Sequence, residues 1–263
     1  MARKRHIRWD RILVVLIPLI LLIFLLSRCG GEDDKPEESS HAADVSSSVE
    51  MPPQETTPVV VEDKFIVALD PGHGAGDGGA ISDELNRIEK NDNLKLALAV
   101  REELLKYSDV NVIMTREADT FPSLDERCQI ANDANADFFV SLHRNSAEEG
   151  NGIEIWVNNG DDNEMDKLLA QYIMELLEKV GITRNRGIRT GFRNNMTSTN
   201  YDNGYYVNRY TNMPSCLIEM GFVSDVTDNK NFDDKLNEYA AAIARGVMEL
   251  ASDKRIYTGS LPA

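Results

Sequence analysis

Phe65-Ile66-Val67-Ala68-Leu69 runs without a polar residue into Asp70-Pro71-Gly72-His73. A short apolar run closed by turn formers reads as a strand covered on both faces, the kind found in parallel sheets. A second run, Phe138-Phe139-Val140-Ser141-Leu142, leads into His143, and a third, Cys216-Leu217-Ile218, delivers Glu219. Open α/β sheets build their sites at the carboxyl ends of such strands. Of four histidines in the chain, His6 lies in a basic tail and His41 in a Ser/Glu-rich stretch. The folded part therefore has His73 and His143 alone, each placed where an apolar run stops. One strand-end histidine is more often satisfied by backbone; finding both there changes the odds. Two imidazoles with an acid suit a catalytic zinc that keeps one position open.

Helical patterns separate these strands. Leu94, Ala97, Leu98 and Leu105 mark one face of a helix running to about Tyr107, followed by a strand at Val110–Met114. Ser123-Leu124-Asp125-Glu126 has capping-box spacing and opens a helix with Cys128, Ala131 and Ala134 inward. Gly152–Val157 alternates Ile153, Ile155 and Val157 with other residues, which predicts an exposed or edge strand. Met165, Leu169, Ile173, Leu176 and Val180 form a strong stripe stopped by Gly181, and Leu236, Tyr239, Ile243, Val247 and Leu250 form a closing helix. Strands alternating with helices predict one three-layer α/β domain over residues 64–253, its sheet mostly parallel or mixed and flanked by helices. Residues 254–263 read as a frayed tail.

Ahead of that domain the composition changes twice. Residues 1–29 carry six Lys/Arg against one Asp, and Ile12 to Leu26 is an apolar run interrupted in kind only by Pro18. This is the pattern of an export signal with its basic end held in the cytoplasm. Without a small-residue cleavage site after it, we read it as an uncleaved membrane anchor, with a secreted form second. Residues 30–63 carry one Lys and ten Asp/Glu among Ser and Pro, the composition of a disordered tether. The working domain is then expected on the extracytoplasmic face of the membrane, next to the wall. The whole chain has a formal net charge of −16, which excludes nucleic acid as a partner, because phosphate binding needs a basic surface. Three cysteines at unpaired spacing give no disulfide framework, and Cys128 and Cys216 read as small buried apolar residues.

The glycine-rich stretch after the first strand contains Gly74-x-Gly76-x-x-Gly79. A dinucleotide site would open a helix within those glycines, yet no helical stripe starts before about Asn93. The better reading is backbone wrapped closely around a metal held by His73. For the third donor, Glu89, Asp77 and Asp70 compete. A Glu just before a helix is more often a solvated charge favoured by the helix dipole, and Asp70 alternatively orients His73. Glu219, costly to bury unless used, is suited to taking a proton from the attacking water. Arg116 and Arg127 are candidate partners of this acidic cluster, without an assigned role. The Asn-, Tyr- and Arg-rich segment Gly191–Asn212 suits sugar or peptide contacts, or is a polar loop.

Taken in order, Asp70-Pro71-Gly72-His73-Gly74, Glu89-Lys90-x-x-Asn93-Leu94, Arg127 through Asn132, Ser141-Leu142-His143-x-Asn145 and Pro214-Ser215-Cys216-Leu217-Ile218-Glu219-Met220-Gly221-Phe222 resemble the zinc-dependent N-acetylmuramoyl-L-alanine amidases of the amidase-3 family. The likeness spans about Lys64 to Leu250. It implies a mixed α/β sheet flanked by helices, zinc held by His73, Glu89 and His143, and Glu219 as catalytic carboxylate. It implies peptidoglycan as substrate, cut at the amide between the lactyl group of N-acetylmuramic acid and L-alanine. Arg144 departs from the small or apolar residue usual in the family; beside a ligand but pointing the other way, it is expected to affect substrate contacts. The sequence identifies no activator or regulatory protein. Two other readings are a zinc peptidase cutting within stem peptides and a non-catalytic wall-binding module.

Overall fold

The computed structural model describes residues 64–160, 163–191 and 205–253. The expected anchor (1–29), tether (30–63) and tail (254–263) lie outside the described residues, as do residues 192–204 of the Asn/Tyr-rich segment. Among the described residues, no helix is long and apolar enough to cross a membrane.

Eight strands and six helices are described. In chain order they are β1 Phe65–Pro71, β2 Ile81–Ser82, β3 Arg87–Ile88, α1 Glu89–Leu104, β4 Val110–Met114, α2 Leu124–Asp133, β5 Phe138–Asn145, β6 Ile153–Val157, α3 Glu164–Val180, β7 Asn185–Thr190, α4 Tyr206–Tyr210, β8 Ser215–Phe222, α5 Val226–Asp234 and α6 Leu236–Ala251. Six strands form one sheet in the order β4-β1-β5-β8-β6-β7, and β2 pairs with β3 as a separate short ribbon. β4, β1, β5 and β8 run parallel. β6 is antiparallel to β8 and parallel to β7, so the sheet is mixed.

Alternation along the strands sorts the side chains into two layers. Val67, Leu69, Val140, Leu142, Ile155, Cys216 and Ile218 pack against α1, α3 and α6. Ala68, Phe139, Trp156 and Leu217 pack against Cys128 and Ala131 of α2 and Val207 of α4. This is the three-layer arrangement the periodicity predicted. The Ser123 capping box is present, with its side chain and that of Glu126 exchanging backbone donors. Cys128 and Cys216 are buried. Burial raises the Cys128 thiol to about 12 and raises Cys216 as well, so neither is a thiolate at neutral pH.

Three expectations need correction. β6 is not an edge: all five residues are buried and it lies between β8 and β7. The edge on that side is β7, whose Asn-Arg-Gly-Ile-Arg-Thr sequence has one large apolar residue and gave no strand signal. β6 is covered on its second face because Glu154 meets Arg186 and Arg189 there. Helix α1 starts at Glu89, not near Asn93, and ends at Leu104. Its first turn escaped the apolar pattern because what it buries is polar: Glu89, Asp92 and Asn93. At the end of α2, Ala134 is a half-exposed C-cap, and Ala136 is the buried alanine.

Candidate metal centre

The parallel strands β1 and β5 end side by side, with Asp70 opposite Ser141 and Pro71 opposite Leu142. One more residue brings His143, and β8 sets Glu219 in register with it. His73 follows the end of β1 by two residues and has a backbone φ of 61°, a conformation that non-glycine residues seldom adopt and that must be held by its surroundings. Two arginines hold it. Arg127 of α2 donates from Nη1 to the Pro71 carbonyl and from Nη2 to the His73 carbonyl, both at 2.8 Å. Arg116 donates from Nε to Pro71 O and from Nη2 to Gly72 O, each at 2.9 Å. A chain leaving a sheet carries carbonyls that still need donors, and these guanidiniums supply them.

Asp70 anchors Arg127 rather than His73. Its Oδ1 accepts from Arg127 Nη1 at 2.6 Å and from Thr115 at 2.6 Å, and its Oδ2 accepts from Ser141 at 2.7 Å. Burial alone raises a carboxyl pKa, but the Arg127 charge and these hydroxyl donors outweigh it and hold Asp70 below the ordinary aspartate value. The residue that orients His73 is Asp77, whose Oδ2 lies 2.8 Å from His73 Nδ1. The orienting part offered to Asp70 thus falls to Asp77: Asp70 is bound to Arg127, Thr115 and Ser141, and Asp77 meets the imidazole from behind instead of completing the donor set.

Glu89 stands between the two histidines. Its Oε1 is 3.2 Å from His73 Nε2 and 2.8 Å from His143 Nδ1. The rings meet edge to face with centroids 5.0 Å apart. The carboxylate is fixed by the N–H of Arg144 (3.1 Å) and Nδ2 of Asn93 (3.3 Å) on Oε1, and by the N–H of Ala80 (2.7 Å) on Oε2. Glu89 and the two histidines are the only group of metal-type donors among the described residues whose atoms all lie within 4.8 Å of one another. Burial disfavours charge on His73, yet Glu89 and then Asp77 outweigh it and hold the imidazole pKa up at about 9. Against burial, the hydrogen bond to His143 and then that to His73 push Glu89 far down.

Two glycines make room for this cluster. A Cβ on Gly72 would lie 2.1 Å from His143 Cε1, and one on Gly79 would lie 2.5 Å from Glu89 Oε2. The backbone does wrap the donor set closely, but through these two positions; a Cβ on Gly76 would meet nothing within 4 Å. Two imidazoles and one carboxylate, converging in space that side chains have vacated, fit a zinc with a position left open.

Arg144 does point away from the donors, as its strand position requires, but it touches no substrate surface. It is 2% exposed, donates to Asp92 Oδ2 at 2.6 Å and to Asn229 Oδ1 at 2.7 Å, and lies over the Phe232 ring. The expected effect on substrate contacts is therefore replaced by a structural role, tying β5 to α1 and α5. Glu219 is 9% exposed and sits one strand from His143 on the same face. Sequence reasoning passed over the group beyond it. Glu154 faces Glu219 across β6 and β8, and it receives Arg186 and Arg189. The available signal was a glutamate paired with a tryptophan, at i and i+2, on the polar-looking face of an otherwise apolar strand.

The family model for N-acetylmuramoyl-L-alanine amidase (amidase-3) matches residues 67–249. The chain belongs to this family. N-acetylmuramoyl-L-alanine amidase LytC of Bacillus subtilis is 36% identical over 183 residues, which cover 69% of this chain and 33% of the relative. The probable cell wall amidase LytH of Staphylococcus epidermidis (strain RP62A) is 32% identical over 189 residues, covering 71% of this chain and 58% of the relative. The chain thus spans between a third and three fifths of these two curated relatives. The crystal structure of N-acetylmuramoyl-L-alanine amidase from Clostridium difficile 630 superposes with a TM-score of 0.64 at 32% identity, over 73% of this chain and 99% of that one. The amidase domain described here therefore shares its fold with a solved family member over that member's whole length.

Proposed function

We propose that this amidase hydrolyses the amide between the lactyl group of N-acetylmuramic acid and L-alanine in peptidoglycan, using zinc held by His73, Glu89 and His143. The observation that carries the proposal is the convergence of those three donors within 4.8 Å, with Glu219 in register beside His143. Asp77 fixes one nitrogen of His73, leaving Nε2 turned toward the cluster, the usual device for orienting a metal-binding imidazole. Zinc there supplies Lewis acidity toward the amide carbonyl and lowers the pKa of water from ~15.7 to ~7. Glu219 accepts the proton of the attacking water and returns it to the departing amide nitrogen. The C–O bond forms first and the C–N bond then breaks as its nitrogen takes the proton, leaving a lactyl carboxylate on the glycan and a free amino group on L-alanine.

For the chain as a whole we propose residues 1–29 as a membrane anchor, 30–63 as a tether and 64–253 as the catalytic domain, acting on the wall from the extracytoplasmic face. The test is digestion of purified sacculi by the zinc-loaded protein, with identification of the new ends. The proposal requires free L-alanine amino termini and free lactyl carboxyls. Amino groups exposed on D-amino or diamino acids, with no lactyl carboxyl, would instead establish a stem-peptide peptidase. Glu219→Gln is expected to keep zinc and lose turnover by at least about 100-fold; a variant that digests walls at the parent rate would remove Glu219 from the mechanism.

A further inference from the structure

On the face of the sheet that carries the donors, His143, Glu219 and Glu154 lie side by side on β5, β8 and β6. Glu154 is more than satisfied. Its Oε1 accepts from Asn145 Nδ2 at 2.9 Å and Trp156 Nε1 at 3.2 Å, and its Oε2 meets Arg186 Nε at 2.9 Å and Arg189 Nε at 3.1 Å. Two arginines on one carboxylate, with the Glu219 carboxylate next in register, balance the charge, so what the pair offers a ligand is its remaining N–H donors. Each guanidinium is also braced by a ring: Arg186 over Phe222 at 5.0 Å and Arg189 over Trp156 at 5.7 Å. The Arg189 side chain nonetheless stays 43% exposed and that of Arg186 23% exposed. Oriented, partly exposed guanidiniums with N–H groups to spare are suited to forked recognition of a carboxylate.

We propose that Arg186 and Arg189, positioned by Glu154, form a subsite for a free carboxylate on the peptide side of the substrate. The assignment rests on the amidase reading above. Strands are spaced about 4.8 Å apart, which puts the Arg–Glu154 group about 10 Å from His143. An extended peptide covers that distance in about three residues, so the carboxylate recognised is borne two or three residues from the scissile amide. The glycan side of that bond offers hydroxyl and acetamido groups; the peptide side is where free carboxylates are found.

The experiment uses the full chain, zinc-loaded, and two sets of muramoyl peptides of one sequence. In the first set the second and third residues carry free side-chain or α-carboxylates; in the other these are primary amides. The parent is expected to favour the acids in kcat/KM, mostly through KM, by about tenfold or more, the scale of one charge-assisted contact. Arg189→Ala brings the acid-to-amide ratio toward one, and Arg189→Lys keeps part of it. A purely structural role lowers both substrates together and leaves the ratio unchanged. A parent ratio near one, or a ratio unmoved in both Arg189→Ala and Arg186→Ala, overturns the assignment alone. A parent that cleaves neither set overturns the amidase reading and this subsite with it.

Discussion

Replacing Arg127 by methionine tests how the strained turn at His73 is held. The side chain of Arg127 is 3% exposed and that of its partner Asp70 1% exposed, at 2.6 Å. Removing one member of a buried ion pair costs about 3–5 kcal/mol, because the other charge stays buried. The carbonyls of Pro71 and His73 each lose a donor, and each lost bond adds about 1 kcal/mol. The expected loss is roughly 5–7 kcal/mol, a large part of the 5–15 kcal/mol that holds a typical domain folded. The pH dependence separates the two parts. In the parent, Asp70 is held below its ordinary value of 3.8, so its contribution is present above that value and fades as pH falls through the lowered pKa. Without the arginine, burial dominates and raises the carboxyl pKa, so a neutral Asp70 becomes favourable as the solution is acidified. The defect measured by urea unfolding should therefore be smaller at pH 5 than at pH 7. Asp70→Asn combined with Arg127→Met should be more stable than Arg127→Met alone, because no charge is stranded. A loss under about 1 kcal/mol at pH 7, or an equal loss at both pH values, would refute the reasoning.

Two further outcomes follow from contacts elsewhere in the domain. Gly72→Ala places a methyl 2.1 Å from the His143 ring, on backbone pinned by the Gly72 N–H to Leu142 O at 3.0 Å, so the ring must turn; zinc affinity in a chelator competition should fall at least about tenfold, and parent-like affinity would show that His143 does not need that space. Burial raises Asp166 from 3.8 to about 6, against backbone donors from Ser215 and Asn158, so the folded state holds a proton that the unfolded chain gives up, and stability drains away as pH rises from about 4 to 6. Asp166→Asn removes that slope, so the variant should gain roughly 3 kcal/mol on the parent between pH 4 and 7; a pH-independent difference would contradict the burial argument.

The strands that end at His73, His143 and Glu219 were legible because five- and three-residue apolar runs stopped abruptly at residues able to do chemistry. Helices α2, α3 and α6 were legible through their caps or stripes. What the sequence hid was polar burial. The first turn of α1 buries Glu89, Asp92 and Asn93, so no apolar period could announce it, and the start of the helix is where Glu89 joins the histidines. Arg144 looked like a substrate-facing charge, but Asp92 and Asn229, distant in sequence, give it a buried place. That Asp77 rather than Asp70 orients His73 was invisible for another reason. Both lie within four residues of His73, and only the turn that pairs Gly74 with Asp77 brings one of them back to the ring. Strand β7 gave no signal because an edge strand with arginines on its face needs little apolar surface.

The central claim is that His73, Glu89 and His143 together grip one zinc. Diffraction from crystals of the zinc-loaded protein at the zinc absorption edge tests it most directly. One strong anomalous peak is expected, with one nitrogen of each imidazole and an oxygen of Glu89 at about 2.0–2.2 Å from it. A peak elsewhere, or these three side chains turned apart with no shared ion, would contradict it.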